Sequence, residues 1–535
     1  MKIFTNANIC SPNHPGSSAL VVDHGHFIAI GENDDILAGF PNRDQVIDLQ
    51  GKTLWPGLTD SHLHLLKLAE TTSMVDCETD TLDQCLERIR EFARSLPQNS
   101  WVRGHGWNQN LWRKGFGTAE MLDSVTDGRP AYLTAKSLHA AWVNHKALAL
   151  AGIDDQTPDP PGGIIQRNTS GNPTGILFEA EGMALVETII NHPNLLENCR
   201  KINALIPELW KMGLVGAHDF DGFDCWQALN FIHQQGNLHF RVRKHIPCSH
   251  MTEFIEAGLR TDFGTEFLHL GGIKLFADGA LGPQTAAMLK PYEDTSETGK
   301  LLLTADEIFD IGKLAVNNGL ALAIHAIGDR ANNVVLNAFE KIRAHELAHH
   351  LPHYRHRIEH VQIIDPKDLP RLAQLDIIAS VQPVHAPSDM KMADLYLGKR
   401  AEHAYAYRDI MASGATTIFG SDAPVEPANP FFGIHAAVTR QKLDGSPGPD
   451  GWRPQQRLRL TEALMGFSLT PAETTGRGTK FGKIIPGAYA DFIILEKDPF
   501  MIPPDDLAQI RPMATFVDGN CVYQSPESDS EIDDL

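Results

Sequence analysis

Three absences bound this chain first. No apolar run approaches the length needed to cross a bilayer, and the opening Met1-Lys-Ile-Phe-Thr-Asn-Ala has no apolar signal core. Cysteine is scarce and unpatterned: Cys10, Cys77, Cys85, Cys199, Cys225, Cys248 and Cys521 are odd in number and without Cys-x-x-Cys spacing. They read as reduced thiols, not as a disulfide framework or a zinc knuckle, so the expected compartment is the cytoplasm. Positive charge is also in deficit, with 46 Lys and Arg against 67 Asp and Glu, a net charge of −21. That argues against a nucleic-acid or anionic-membrane partner, which basic patches serve. What the chain does have is histidine, 25 of them in 535 residues.

Both ends read as short strands joined by turns: Lys2–Ile9, Ala19–Val22, Phe27–Gly31 and Gln45–Leu49 near the start, Ala490–Leu495 and 514–523 near the finish. A small β-sandwich domain built from both termini, residues 1–56 and 480–523, is the economical reading. Between them lie eight apolar strands separated by helix-like segments: Leu58–His64, Leu214–Asp219, Phe240–Ile246, Gly272–Asp278, Ala321–Ala326, Arg357–Val361, Ile377–Gln382 and Thr416–Asp422. This α/β alternation predicts a (β/α)8 barrel over 57–72 and 191–479. The gap after its first strand is too long for one crossover, so 73–190 is read as an insertion, placed as a lid. The acidic, aromatic-free stretch 524–535 reads as a disordered tail.

The pair His62-Leu-His64 lies two residues apart at the end of the first strand, where both imidazoles face one side. Two neutral imidazoles on one face can hold a divalent cation, although the motif alone also suits hydrogen-bonded surface histidines. Further candidates fall at other strand ends: Lys274 in the fourth strand, His325 ending the fifth, His360 the sixth and Asp422 the eighth. The C-terminal ends of barrel strands face one shared site, so residues far apart in sequence converge there. A lysine in an apolar strand pairs with Asp278, reaches solvent, which is the commoner fate of lysine, or is carbamylated by carbon dioxide, becoming an anionic oxygen ligand able to bridge two cations.

The chain resembles the amidohydrolase superfamily, and within it amidohydrolase family 3, the YtcJ-like group, whose activities include deformylation of N-substituted formamides. The resemblance rests on Pro56-Gly-Leu-Thr-Asp-Ser-His-Leu-His64, Gly106-Trp-Asn108, His139-Ala-Ala-Trp-Val-Asn144 and Gly272-Ile-Lys-Leu-Phe-Ala-Asp-Gly-Ala-Leu-Gly282. It continues through His325-Ala-Ile-Gly-Asp-Arg-Ala331, Arg355-His-Arg-Ile-Glu-His360, Gln382-Pro383, Gly420-Ser-Asp-Ala-Pro-Val425 and Gly487-Ala-Tyr-Ala-Asp-Phe-Ile-Ile-Leu495. The resemblance implies a barrel with a flanking β-sandwich and two cations per chain; zinc is the default for a histidine-rich site, and iron, manganese or nickel would fit too. His62, His64 and Asp422 would hold the more buried one, His325 and His360 the second, with carbamylated Lys274 bridging them.

The activity expected from this set is hydrolysis of a C–N bond, amide, N-formyl or N-acyl, with Asp422 as general base and then general acid. A metal-bridging hydroxide would be the nucleophile. Trp107, His139, Trp142, Asn144, Asp278, Arg330 and Gln382 are the candidate substrate contacts. His218-Asp219 at the second strand end reads as a hydrogen-bonding support. The expected partner is a small-molecule substrate, and a homodimer is compatible with the sequence. A second reading is a mononuclear deaminase using His62, His64, His325 and Asp422, with Asp329 as proton shuttle; a third is a non-catalytic metal-binding protein.

Overall fold

Eight strands pair side by side in parallel to form the centre of the molecule, numbered here β1 (Leu58–Leu63), β2 (Leu214–Asp219), β3 (Arg241–Pro247), β4 (Leu268–Phe276), β5 (Leu322–Ala326), β6 (Arg357–His360), β7 (Ile378–Val381) and β8 (Thr417–Phe419). The structure, a computed structural model, describes residues 1–10, 16–113, 115–190 and 194–526. Helices cover the outside of these strands, so the strands are buried on both faces and read as near-continuous apolar runs. β4 shows this best: eight of the nine residues in Leu268–Phe276 are buried, Lys274 among them. The (β/α)8 fold expected from the alternation is the fold observed.

The barrel closes between β8 and β1 largely through one side chain. Asp60 Oδ1 accepts from the backbone N–H of His62 and of Ser421, each at 3.0 Å, and Oδ2 accepts the Ser421 hydroxyl at 2.5 Å. Backbone bonds from Asp422 to His62 and from His64 to Ala423 continue the seam. The approach is close enough that a Cβ on Gly420 would stand 2.5 Å from the His62 nitrogen, which requires glycine there.

The segment between β1 and β2 carries a sheet of its own, in the order 164–167, 173–178, 140–143, 131–135, 102–107 and 75–76. Its two faces bury separate apolar layers. The chain returns to the barrel through helix Leu195–Lys211, whose start is secured by reciprocal capping between Asn194 and Glu197.

The two termini build a four-stranded and a five-stranded sheet. Phe4, Phe27, Phe492 and Phe516 pack between them, Phe4 edge-on to Phe492 at 5.3 Å. The strand Thr53–Pro56 of this domain runs through Gly57 straight into β1. Asn520–Gln524 is a strand, so the predicted tail does not begin at Gln524; residues 527–535 of that tail lie outside the described residues. No helix among the described residues is long and apolar enough to cross a membrane.

Candidate metal centre

The C-terminal ends of β1, β4, β5, β6 and β8 open into a cavity of about 230 Å³ that His62, His64, Lys274, His325, His360 and Asp422 all line. The Nε2 atoms of His62 and His64 each lie 3.4 Å from Asp422 Oδ1. Ligands about 2.1 Å from a tetrahedral ion stand about 3.4 Å apart, so each histidine nitrogen has the separation from the carboxylate oxygen that a cation such as zinc requires, and all three atoms lie within 4.8 Å of one another. The opposite ring nitrogens are anchored: His62 Nδ1 pairs with Glu359 at 2.6 Å and His64 Nδ1 with Asp221 at 3.1 Å. An acid on Nδ1 places the lone pair on Nε2, the support that metal-ligating histidines commonly have. This donor set fits a divalent cation.

Backbone geometry brings the later ligands in. Successive strand residues face opposite sides, so Glu359 and His360 should not share a face. His360 has φ +78° and Asp422 φ +62°, left-handed conformations that turn both side chains at the strand ends. Such strain in bulky residues is concentrated at functional sites. His360 then lies with its ring 4.9 Å from His62 and 4.6 Å from His325, centroid to centroid.

Burial sets the charges. It brings His62 down to about 4 against the pull of Glu359, and holds His325 and His360 well below the usual histidine value. Neutral imidazoles are what a cation needs. Burial also disfavours the charge on Asp422, yet His64, His62 and His360 together keep its carboxyl well below the ordinary range. His64 moves upward, because Asp221 and Asp422 outweigh its burial. Burial lowers the Lys274 amine to about 8 despite Glu359 and Asp422 nearby. Lys274 Nζ sits 4.8 Å from the rings of Phe220 and Phe276, with no hydrogen bond or ion pair among the described residues. It does not pair with Asp278, the partner that sequence spacing offered.

The insertion supplies one wall of the cavity. Trp107 and His139 line it, as does Asp278 from the loop after β4. His139 Nδ1 bonds Glu179 at 2.8 Å. Other expected substrate contacts are placed elsewhere. Trp142 is fully buried against Trp107 and Trp112, its N–H donating to Thr118 O, with Gly117 leaving room for its ring. Asn144 caps helix His145–Leu150 and accepts from Ala131 N. Arg330 is exposed outside the cavity. Gln382 holds His360 Nδ1 at 2.9 Å instead of lining the cavity. Asp329, the shuttle of the deaminase reading, accepts from Leu289 N and Arg330 N, away from the cavity lining. Asp219 takes the Lys244 ammonium at 2.7 Å and Leu65 N at 2.7 Å, a supporting role beneath the site.

Sequence reading passed over several residues that build this site. Glu359 sits beside His360 in Arg355-His-Arg-Ile-Glu-His360, and Asp221 two residues after Asp219, at the same spacing as His62 and His64. Phe220 lies between the rings of His62 (4.0 Å) and His245 (4.2 Å), nearly parallel to both. His385, three residues after Gln382, lines the cavity from the helix His385–Leu397.

The model of the amidohydrolase family matches residues 45–523. Among curated proteins, the chain is 33% identical to the putative amidohydrolase YtcJ of Bacillus subtilis (strain 168), over 91% of this chain and 92% of that one. It is 28% identical to the N-substituted formamide deformylase of Arthrobacter pascens, over 98% of both chains. Among solved structures, an uncharacterised metal-dependent hydrolase from Pyrococcus horikoshii OT3 superposes with a TM-score of 0.76 at 27% identity, covering 94% of this chain and 99% of that one. A family match over nearly the whole chain thus coincides with a barrel whose strand ends gather histidines around one aspartate, and the chain belongs to the amidohydrolase family.

Proposed function

We propose that this protein hydrolyses a C–N bond of a small amide, N-formyl or N-acyl compound, using two divalent cations per chain, zinc by default. The observation that carries the reading is the convergence of His62 Nε2 and His64 Nε2 on Asp422 Oδ1, each at 3.4 Å, with both Nδ1 atoms anchored by acids. The cations, when bound, lower the pKa of a water and polarise the substrate carbonyl.

The chain's own residues do the rest. Asp422 is ionised and stands beside the histidine pair, so it accepts the proton lost by the attacking water and returns it to the departing nitrogen. Water and amide thereby give acid and amine with no net proton change. Lys274, whose amine burial lowers to about 8 and which has no hydrogen bond or ion pair among the described residues, would on addition of carbon dioxide and loss of a proton offer an anionic oxygen to both cations. Trp107 and His139 of the insertion line one side of the cavity, where a substrate would rest. The seven cysteines are all free, which supports a cytoplasmic setting. The test is metal analysis of the purified protein joined to a screen of N-formyl, N-acyl and cyclic amides. Turnover of one class that chelation removes is the expected result; turnover by metal-free protein would end the reading.

A further inference from the structure

His385 is buried, and its Nε2 has no hydrogen-bond partner among the described residues. That atom lies 4.0 Å from Asp422 Oδ2, and His360 Nδ1 lies 4.0 Å from the same oxygen. The two imidazoles are nearly parallel, 9° apart. Asp422 therefore faces two histidine pairs, with Oδ1 toward His62 and His64 and Oδ2 toward His360 and His385. Ligand-capable atoms of His360, His385 and Asp422 all fall within 4.8 Å of one another.

Which nitrogen of His385 carries the proton follows from its neighbours. Its Nδ1 is 3.1 Å from the Gln362 side-chain amide, whose other end is 3.2 Å from the Tyr405 hydroxyl. That hydroxyl has one proton and a much closer acceptor, Asp389 Oδ2 at 2.5 Å. With its proton given to Asp389, the Tyr405 oxygen acts as an acceptor and takes an N–H from Gln362. The amide is placed with its nitrogen toward His385 and its oxygen toward Tyr405; exchanging the two ends, which are isosteric, satisfies Tyr405 and lets the amide oxygen accept from His385 Nδ1–H. This leaves a lone pair on Nε2, the atom aimed at Asp422.

We propose that His385 Nε2 is a metal ligand, binding together with His360, whose Nδ1 is held by Gln382 and whose Nε2 is the remaining donor, the cation farther from His62 and His64. The inference rests on the metal-dependent reading above and adds a ligand that no barrel strand supplies. His385 begins the helix that also brings Ser388, Asp389 and Met392 to the cavity, so metal occupancy and the substrate wall are joined through one element.

The test is titration of metal-free protein with Co2+ alone, followed by calorimetry and by the visible absorption of the bound ion. His385→Ala is expected to weaken one class of site by at least about tenfold and to change its absorption, leaving the tighter class and the melting temperature of the metal-free protein in place. Gln362→Leu keeps the imidazole but frees Nδ1, and is expected to weaken the same class by a smaller factor. Unchanged affinities and spectra in His385→Ala would overturn this proposal alone. Failure of the wild-type protein to bind Co2+ would overturn the metal-dependent reading with it. A purely structural role for His385 predicts a lower melting temperature with an unaltered spectrum, and that pattern also counts against the proposal.

Discussion

The barrel encloses two groups of buried histidines, separated by the ring of Phe220, and they have opposite surroundings. Above it, His62, His64, His360 and His385 surround a carboxylate. Below it, His218, His245 and His269 lie among arginines. Arg357 donates to His218 Nδ1 at 2.9 Å, and Gly272 N donates to His245 Nδ1 at 3.0 Å. His269 has a partner on neither ring nitrogen among the described residues. Burial first, then the neighbouring arginines, holds all three well below the usual histidine value. A small void of about 10 Å³ beside Arg243, His245 and Arg357 has room for about one water. Abundant histidine therefore does not by itself mark a metal centre; histidines converging on an ionised acid do.

The sharpest way to break this contrast is to remove metal. Chelation is expected to abolish turnover and lower the melting temperature, and added divalent cation should restore both, read by a rate assay and a thermal melt. Survival of either property would erase the distinction between the two groups. Next in size is Asp422→Asn, expected to cost about 10³-fold in kcat, within the range for loss of a positioned acid–base group. Steady-state kinetics of metal-loaded variant protein checks it, and a loss below tenfold would remove Asp422 from its role.

A smaller effect is expected at Glu359. Its carboxylate joins His62 to Arg357, which it meets through Nε and, at 2.8 Å, through Nη2. Glu359→Gln should weaken metal binding about 10–100-fold, the usual cost of losing a group that orients a ligand. Competition against a chromophoric chelator measures this. The smallest effect belongs below Phe220. His269→Leu removes two unpartnered buried nitrogens and should leave kcat and metal content unchanged, with stability equal or slightly higher. A metal-content loss there would mean that the lower histidines belong to the site after all.

The barrel was legible because parallel strands covered on both faces must be apolar throughout, and His62, His64, His325, His360 and Asp422 stand where such runs end. What escaped was set by geometry that strand periodicity does not encode. Glu359 and His360 share a site only because His360 adopts a positive φ, against simple alternation. Asp60 reads as the polar end of an apolar run, yet it is the clasp between β8 and β1. Its carboxyl is pushed up to about 7 by burial, against bonds from Ser421 and His62. Trp142 and Asn144 looked like pocket residues because they sit in one motif with His139. The insertion sheet sends Trp142 into an internal layer, and Asn144 is used to start a helix. Arg330 follows the β5 strand end closely in sequence, but it opens a helix on the outer surface. His385 carried no signal at all, since it comes from a helix and not from a strand end.

The central claim is that the upper histidines hold divalent metal and the lower ones do not. Anomalous diffraction from crystals of the purified protein tests it most directly. Metal density is expected between His62, His64 and Asp422, and none within reach of His218, His245 or His269. Fully active crystals with no anomalous density near Asp422 would contradict it.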